Sequence, residues 1–394
     1  MKIAFLTSEY PHSRTGSSGG IGTSIMNLSN SLMHQGHQVS ILIYGQQKDH
    51  FFQEKGINYY CIKNVKVKGF SRFLTQKKIE KLINTLVLEN KIEIVEAPDW
   101  TGITSFIQPK CPVVIRLNGS DTYFCHLDNR SVKWYNKFHE KRALQKANFL
   151  ISVSQFTADL TNRVFGLNKN FTIIPNGINV ASFDKNSSKT NILSTTEIIP
   201  DGKIILYFGT LIRKKGLLEL PLIFNKIVRK YDNVKLILVG KDASDRISGN
   251  SSTWKMMQSL FTTEALSKVN YMGSVSYDQI KIVINDATVC VFPSFAEALP
   301  VSWIEAMAMQ KAIVASNIGW ANEVIDDGLN GFLVNPKNHL EFANKIVELL
   351  EDSELREQFG IHARKKSENQ FSSNVVAKSS LDFYRQSIEN YKKV

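Results

Sequence analysis

Short apolar runs recur along this chain, separated by polar loops and by longer segments with helical spacing. A short run of β-branched and apolar residues predicts a buried strand, whereas apolar positions three and four residues apart predict a helix. The repeated order of strand, helix and strand predicts a parallel, doubly wound sheet. The runs that we interpret as strands are residues 3–7, 39–44, 92–95, 113–117, 149–154, 203–209, 234–239 and 287–292.

A polar stretch divides this pattern into two parts. Residues 184–200 begin Asp-Lys-Asn-Ser-Ser-Lys-Thr-Asn, which is typical of a linker, and the strand–helix order restarts at Lys203. The chain has 394 residues, which is too long for one ordinary core and enough for two α/β domains. We therefore expect one domain over residues 1–184 and a second over residues 185–374.

The composition is that of a globular protein, with 43% hydrophobic and 21% charged residues. No apolar run reaches the roughly 18 residues of a membrane span. The apolar start of the chain is too short for a signal peptide, and Glu9 follows it. The four cysteines show no paired spacing, which favours a cytoplasmic protein with reduced thiols and no metal knuckle.

The formal net charge of +12 indicates an anionic partner. An anionic membrane surface and a nucleoside diphosphate are candidates. We expect no nucleic-acid partner, because the chain has no helix-turn-helix, zinc-finger or RNP-like signature. Residues 63–91 and 133–142 combine basic with aromatic side chains. Such segments are typical of a helix on a membrane face and equally of a solvated helix, and both interpretations stay open.

Two carboxylates follow one predicted strand of the second domain. Glu297 lies in the loop after the strand at 287–292, and Glu305 lies in a helix predicted over 301–309. Ligands of an open α/β sheet bind outside the carboxyl ends of its strands, so both side chains can line one ligand. The helix N-terminus between them favours an anion. Glu305 stands among apolar helix residues, where a lone charge needs a partner.

Three cations share the loop after the first strand of that domain. Arg213, Lys214 and Lys215 precede Gly216, where a helix is predicted to begin. Positive charges beside backbone amides suit a diphosphate. The chain has no Asp-x-Asp, His-Glu-x-x-His or P-loop sequence. We therefore expect a reaction without metal or cofactor, in which protein cations stabilise the departing diphosphate.

The residues around the two carboxylates resemble the donor half of glycosyltransferase family 4, whose members are retaining, nucleotide-sugar-dependent enzymes of GT-B fold. This resemblance implies an α/β architecture of two Rossmann-like, doubly wound domains that face a central cleft. It also implies that a C-terminal helix, residues 375–394, crosses back to the N-terminal, acceptor-binding domain. The matching residues are Pro293-Ser294-x-x-Glu297-x-Leu299-Pro300, Glu305-Ala306-Met307-Ala308, residues 311–316, Gly319, Glu323 and residues 328–334.

The resemblance implies roles on the donor side. Glu305 would grip the ribose hydroxyls, and Glu297 would bond the sugar hydroxyls near the anomeric carbon. Lys215, with Arg213, would stabilise the leaving diphosphate. Backbone amides near Ala298 and Leu299 would assist, whereas Pro300 has no N–H to contribute. Gly20 and Gly22 of a glycine loop would also bind the donor, and backbone edges at Gly273 and Ser274 would bind the nucleotide base.

The glycine loop is not a dinucleotide fingerprint. Gly20-x-Gly22 lies a dozen residues beyond the first strand and lacks the third glycine in its place. In the family, such a loop lets backbone amides approach the donor phosphates or the acceptor.

Two departures from the family pattern concern the candidate binding loops. Trp100, Asn118 and Asp121 follow two strands of the first domain and are candidates for acceptor or sugar binding. The family usually has His where Asn118 stands, and Asn hydrogen-bonds but takes no proton at neutral pH. The family's Gly-Arg-x4-Lys-Gly pattern has Thr210 in place of its Arg, and Arg213 is the candidate to reach the same phosphate.

The resemblance implies a retaining hexosyltransferase, and retention rests on the resemblance alone. The expected donor is a nucleoside diphosphate sugar, a UDP-sugar first and GDP-mannose second. The expected acceptor is a glycan or a lipid-linked glycan of cell-surface polysaccharide or lipopolysaccharide assembly. The expected location is the cytoplasm, with peripheral attachment to the inner face of the membrane left open. A nucleotide-sugar 2-epimerase of related fold and an inactive GT-B partner subunit are the alternatives, and the oligomeric state is not predicted.

Overall fold

The computed structural model describes residues 1–16, 18–184 and 202–393. The chain forms two compact units, and the first is made from both chain ends. The first unit comprises Met1–Asn179 and Phe371–Val394, and the second comprises Val180–Gln370. The first domain was predicted to span residues 1–184 and to include the C-terminal helix from residue 375 onward. Nearly all of the predicted linker, residues 185–200, lies outside the described residues.

The first unit contains an eight-stranded sheet in the order β3-β4-β2-β1-β5-β6-β7-β8, parallel except for the β3–β4 pair. Its strands are β1 (Lys2–Thr7), β2 (Gln38–Gln46), β3 (His50–Glu54), β4 (Ile57–Lys63), β5 (Ile94–Pro98), β6 (Val113–Leu117), β7 (Phe149–Ser152) and β8 (Thr172–Ile173). Its helices are α1 (Gly20–His34), α2 (Ser71–Leu88), α3 (Asp121–Leu127), α4 (Trp134–Lys146), α5 (Gln155–Phe165) and α14 (Ser373–Tyr391), with a short 3-10 helix at Trp100–Gly102.

Helices cover both faces of this sheet, which explains its continuous apolar runs. Along β1, Ile3 and Phe5 pack in one core cluster with residues of α1 and α14. Ala4 and Leu6 pack in a second cluster with residues of α2. Successive strand residues point to opposite faces, so a strand buried on both sides must be apolar at every position.

A buried polar network holds α14 on the sheet of the first unit. The Arg116 guanidinium donates to both Glu96 carboxylate oxygens, at 2.8 and 3.1 Å, and the Tyr384 hydroxyl donates to Glu96 Oε2 at 2.6 Å. Arg116 also donates to Ser380 Oγ at 3.2 Å. These residues belong to β5, β6 and α14. The network therefore joins the C-terminal helix to two central strands.

The two chain crossings of the first unit lie side by side. The Ile178 N–H donates to the Phe371 carbonyl at 2.9 Å, and the Ser373 N–H donates to the Ile178 carbonyl at 2.7 Å. The chain thus leaves the first unit and re-enters it at hydrogen-bonded neighbours.

The second unit contains a six-stranded parallel sheet in the order β11-β10-β9-β12-β13-β14. Its strands are β9 (Lys203–Phe208), β10 (Val234–Val239), β11 (Val269–Tyr271), β12 (Val289–Phe292), β13 (Ala312–Ser316) and β14 (Phe332–Val334). Its helices are α6 (Leu220–Val228), α7 (Thr253–Gln258), α8 (Thr263–Ser267), α9 (Tyr277–Asp286), α10 (Val301–Ala308), α11 (Ala321–Val324), α12 (His339–Glu351) and α13 (Ser353–Gln370), with 3-10 helices at Val180–Ser182 and Arg213–Lys215.

The strand order of the second unit reverses between β9 and β12. From β9 the chain builds outward to β10 and β11, then returns to place β12 on the other side of β9. Such a reversal leaves a crevice at the carboxyl ends of the two strands, where ligands of doubly wound sheets bind. The predicted cation loop follows β9 and Glu297 follows β12.

Within residues 1–16, 18–184 and 202–393, no helix is both long and apolar enough to cross a membrane. The same residues contain no cluster of three or more His, Cys, Asp or Glu suited to a metal ion. All four cysteines are buried free thiols.

Candidate active site

An ion pair lies where the strand order of the second unit reverses. Lys215 Nζ is 2.8 Å from Glu297 Oε1, and the Ser294 hydroxyl donates to the same oxygen at 3.2 Å. Glu297 is 8% exposed. The structure therefore brings together the two residues that the sequence placed in separate loops, and it leaves each charge compensated.

Backbone contacts hold these two loops against each other. The Phe295 N–H donates to the Lys214 carbonyl at 2.8 Å. Gly216 has a φ of 71°, and a Cβ there would lie 1.8 Å from the Pro293 carbonyl oxygen. Only glycine fits this approach, so Gly216 fixes the position of Lys215 next to the Glu297 loop.

Glu305 is buried in α10 beside the same pair. Burial raises the pKa of Glu305 to about 7, while a hydrogen bond with Tyr277 and the charges of Lys215 and Lys281 act in the opposite direction. The Lys281 ammonium lies 5.1 Å from the centre of the Tyr277 ring. The carboxylate thus has a tyrosine and two cations as neighbours, and it changes its protonation state near neutral pH.

Arg213 points to a different partner. Its guanidinium donates to both Asp245 oxygens, at 2.9 and 2.6 Å, and this pairing holds the pKa of Asp245 well below its usual range. The Ser248 hydroxyl also donates to Asp245. Arg213 therefore anchors the polar loop after β10, and its contact with a phosphate stays a prediction. Thr210 is exposed, and its carbonyl accepts from the Tyr207 hydroxyl at 3.0 Å.

The remaining donor-side candidates of the second unit follow its strands β11 and β12. Ala298, Leu299 and Pro300 connect Glu297 to the start of α10. Gly273 and Ser274 follow β11, and the Gly273 carbonyl accepts from the Gly240 N–H at 2.8 Å. The Gly273 carbonyl, one of the groups predicted to bind the nucleotide base, is thus already hydrogen-bonded within the protein.

In the first unit, a pocket lies beside Asn118. The Asn118 N–H donates to Asp99 Oδ1 at 2.9 Å, and Asn176 Nδ2 is 3.5 Å from Asn118 Oδ1. Burial raises the pKa of Asp99 to about 7. Ser24 of α1, Asn118 and Asn176 are the polar members of a wall that is otherwise largely apolar, apart from Glu96 and Arg116.

Two family models match the chain in succession. The model described as Glycosyltransferase Family 4 matches residues 18–182, and the model described as Glycosyl transferases group 1 matches residues 188–366. The chain belongs to glycosyltransferase family 4. The prediction of family and GT-B fold is thereby confirmed, and the chain is a transferase.

One relative matches this glycosyltransferase over nearly its whole length, and two others match about half of it. An uncharacterized glycosyltransferase of Methanocaldococcus jannaschii is 26% identical, with 99% of each chain covered. The capsular polysaccharide biosynthesis glycosyltransferase CapM of Staphylococcus aureus is 31% identical over 51% of this chain and 50% of its own. Lipopolysaccharide 1,2-N-acetylglucosaminetransferase of Salmonella typhimurium is 29% identical over 46% and 48%.

Solved structures show the same fold. Sucrose-phosphate synthase of Thermosynechococcus elongatus has a TM-score of 0.77 at 18% identity, covering 98% of this chain and 99% of that one. Anabaena HepE in complex with UDP has a TM-score of 0.73 at 18% identity, covering 98% and 100%.

The first unit of the transferase contains the other candidate residues, which differ in how far their neighbours enclose them. The Asp121 carboxylate accepts from Asn136 Nδ2 at 2.9 Å, so α4 holds it. Trp100 is half-buried at the start of its 3-10 helix. The Gly22 N–H donates to Glu9 Oε1 at 3.1 Å, whereas the Cα of Gly20 faces open space. The binding roles of these four residues stay predictions.

Sequence reasoning missed several residues that position the site. Asp99 holds the Asn118 backbone, Asp245 holds Arg213, and Tyr277 bonds Glu305. Glu140 accepts N–H bonds from Thr101, Asp121 and Thr122. Asp99 lies four residues beyond the strand predicted over 92–95 and directly after the observed β5, and this place at a carboxyl strand end was a usable signal. The other contacts join segments distant in sequence and gave none.

Proposed function

We propose that this glycosyltransferase moves a hexose from a nucleoside diphosphate sugar to a glycan or lipid-linked acceptor, with retention at the anomeric carbon. The observation that carries the proposal is the Lys215–Glu297 pair beside Glu305, where the strand order reverses. A UDP-sugar is the first donor to test and GDP-mannose the second. The solved HepE complexes contain UDP or UDP-glucose, which supports that order.

Each side chain of the cluster has one task in this proposal. The Glu305 carboxylate accepts hydrogen bonds from the ribose hydroxyls. The Lys215 ammonium, which in the structure pairs with Glu297 at 2.8 Å, pairs with the diphosphate instead. Glu297 is then released to bond the sugar hydroxyls. Donor binding thus exchanges one partner of Lys215 for another, so no charge is left buried alone.

The transfer breaks the bond between the anomeric carbon and the diphosphate oxygen and forms a bond to an acceptor oxygen. The acceptor hydroxyl gives up its proton to the departing diphosphate, which leaves with the bonding electrons. Lys215 stabilises the charge that develops on that oxygen, so no metal is required in the proposal. Double displacement through a carboxylate and front-face attack assisted by the leaving phosphate both fit these roles.

The proposed acceptor site is the edge of the first unit that carries Trp100, Asn118 and Asp121. Asp99 fixes the Asn118 backbone. The names of the Staphylococcus and Salmonella relatives support a setting in capsular polysaccharide or lipopolysaccharide synthesis. The proposed location is the cytoplasm.

Nucleotide binding tests the donor role first. We expect one nucleoside diphosphate to raise the melting temperature of the wild type, because a ligand at a hundredfold excess over its Kd stabilises by about 2.7 kcal/mol. Glu305→Ala should lose this shift, whereas Glu357→Ala, an exposed carboxylate of α13, should keep it. The measurement is a thermal-shift screen of nucleoside diphosphates and their sugars. No shift with any of them in the wild type would contradict the proposal, and a shift without transfer would indicate an inactive subunit.

Nucleotide affinity should also depend on pH through Glu305. Because its pKa is about 7, the carboxylate that accepts the ribose hydroxyls forms fully only above neutrality. The wild type should therefore gain affinity from about pH 6 to about pH 8 relative to Glu305→Gln, whose amide does not titrate. The folding effect has the opposite sign, because a raised carboxyl pKa makes unfolding easier as pH rises from about 4.5 to 7. Calorimetric titration of both proteins measures the difference, and parallel pH profiles would exclude Glu305 from the ribose contact.

A further inference from the structure

Two basic, aromatic segments that are far apart in sequence meet on the first unit. Phe106 contacts both, with ring centres 5.7 Å from Phe73 of α2 and 6.4 Å from Phe138 of α4. The Arg72 guanidinium lies 5.4 Å from the centre of the Tyr135 ring. We call this the basic aromatic surface, made of residues 66–77, Phe106 and residues 133–142.

Large apolar side chains of this surface are exposed. Trp134 is 77% exposed, Phe70 64%, Phe138 47%, Phe73 41% and Tyr135 40%. Single exposed hydrophobic residues are ordinary, but a contiguous group that includes four aromatic rings on neighbouring helices indicates a binding surface.

Basic residues outnumber acidic ones around these rings. Residues 63–79 contain six Lys or Arg and no Asp or Glu. Residues 130–146 contain six more, and their one carboxylate, Glu140, is buried and engaged by backbone N–H groups. Lys77 pairs with Glu80, Lys78 with Asp49, and Arg130 with Asp121 and Asp128. Lys66, Lys68, Lys133 and Lys137 are exposed beside the aromatic side chains, so the surface presents aromatic rings among further cations.

We propose that the basic aromatic surface docks on an anionic lipid membrane. Aromatic rings are favoured at the membrane–water interface, and clustered Lys and Arg are attracted to anionic headgroups. Protein–protein interfaces, in contrast, are depleted in Lys relative to the rest of the surface. The charge and the abundance of Lys together favour lipid over an acidic protein.

The inner side of α4 connects this surface to the candidate acceptor loops. Asn136 holds the Asp121 carboxylate, and Glu140 accepts N–H bonds from Thr101 and Asp121. The helix that presents Trp134 and Phe138 outward thus carries on its other side the loops that flank Asn118. A docked α4 places these loops beside the lipid surface, where the headgroup of a lipid-linked acceptor lies; this last step rests on the proposed function.

Sedimentation with vesicles tests the docking. The full chain should pellet with phosphatidylglycerol–phosphatidylcholine vesicles at low salt, remain in solution with pure phosphatidylcholine, and be released by high salt. Lys133→Glu with Lys137→Glu should lower the partition coefficient by at least about fivefold for each charge removed. Trp134→Ala with Phe138→Ala should lower it by about tenfold or more.

Two matched variants control for general effects of exposure and charge. Leu88→Ala removes a side chain that is 75% exposed on the far end of α2, and Lys392→Glu reverses an exposed charge near the C-terminus. Both should bind vesicles as the wild type does. Wild-type protein that stays in solution at low salt, or surface variants that pellet like the wild type, would overturn the docking. Binding to polyglutamate but not to vesicles would instead assign an acidic protein partner.

The nucleotide thermal shift separates this inference from the proposed function. Variants of the basic aromatic surface should keep the shift, which shows that they are folded and bind donor. If a surface variant loses vesicle binding but keeps the nucleotide thermal shift, the loss concerns docking alone. If no protein shows the nucleotide thermal shift, the result concerns the transferase chemistry alone.

Discussion

Replacing Lys215 by alanine should lower turnover by about 10²–10³, the scale of losing one group that stabilises developing charge. Lys215 is the cation that contacts Glu297, and it lies in the loop that follows β9. The departing diphosphate would lose its nearest positive charge. The measurement is the turnover number with saturating donor, once thermal shift has identified that donor.

Two further variants make this result specific. Lys214→Ala removes the neighbouring cation but keeps the backbone carbonyl that binds the Glu297 loop, and its turnover should stay within about threefold of the wild type. Lys215→Ala also removes the ammonium that lies 2.8 Å from the buried Glu297 carboxylate, so Lys215→Ala with Glu297→Gln should recover stability without recovering turnover. A loss of less than threefold in Lys215→Ala would remove Lys215 from the active site.

The largest loss of stability is expected from Arg116→Met. This change leaves the Glu96 carboxylate buried without its cation, which typically costs about 3–5 kcal/mol in the free energy of unfolding. Glu96 is 4% exposed, and its remaining donor is the Tyr384 hydroxyl. Chemical denaturation measures the loss. Proteolysis of α14 provides a second readout, because the same network joins this helix to β5 and β6.

Removing the ion pair and the tyrosine hydroxyl tests the cause. The combination of Arg116→Met, Glu96→Leu and Tyr384→Phe removes both charges and the Tyr384 hydroxyl together, and apolar replacements of buried ion pairs are often neutral. This variant should regain most of the stability that Arg116→Met loses. If it is no more stable than the single variant, packing rather than the uncompensated carboxylate accounts for the loss.

The sequence predicted the parts of the structure that depend on local pattern. Buried strands such as Lys2–Thr7 and Val289–Phe292 are apolar on both faces, so the runs at 3–7 and 287–292 located them to within a few residues. The rule that ligands bind at carboxyl strand ends then predicted the loops that carry Lys215 and Glu297. The β3–β4 hairpin was missed because β3 is a polar edge strand, and only Phe52 among its five residues is buried.

What the sequence could not predict are the pairings across the fold. Arg213 and Asp245 are separated by 32 residues, and their contact depends on how the loop after β10 folds back. Glu297 as the partner of Lys215 depends on β9 and β12 being neighbours. Phe73 and Phe138 meet only through Phe106. Each segment looked like a solvated helix or loop by itself, because a local pattern does not specify a distant partner.

The side-by-side crossings at Ile178 and Phe371 make Val180–Gln370 an insertion in a continuous host unit. The ends of this insertion leave from hydrogen-bonded neighbours, so a block of different length or sequence can occupy the same position without breaking the covalent frame of the host. Recombination at these two points would exchange the block that carries Lys215, Glu297 and Glu305 and retain the one that carries Asn118. The proposed donor-binding residues thus lie in a block that can be exchanged while the unit with the proposed acceptor-binding residues keeps its own covalent frame.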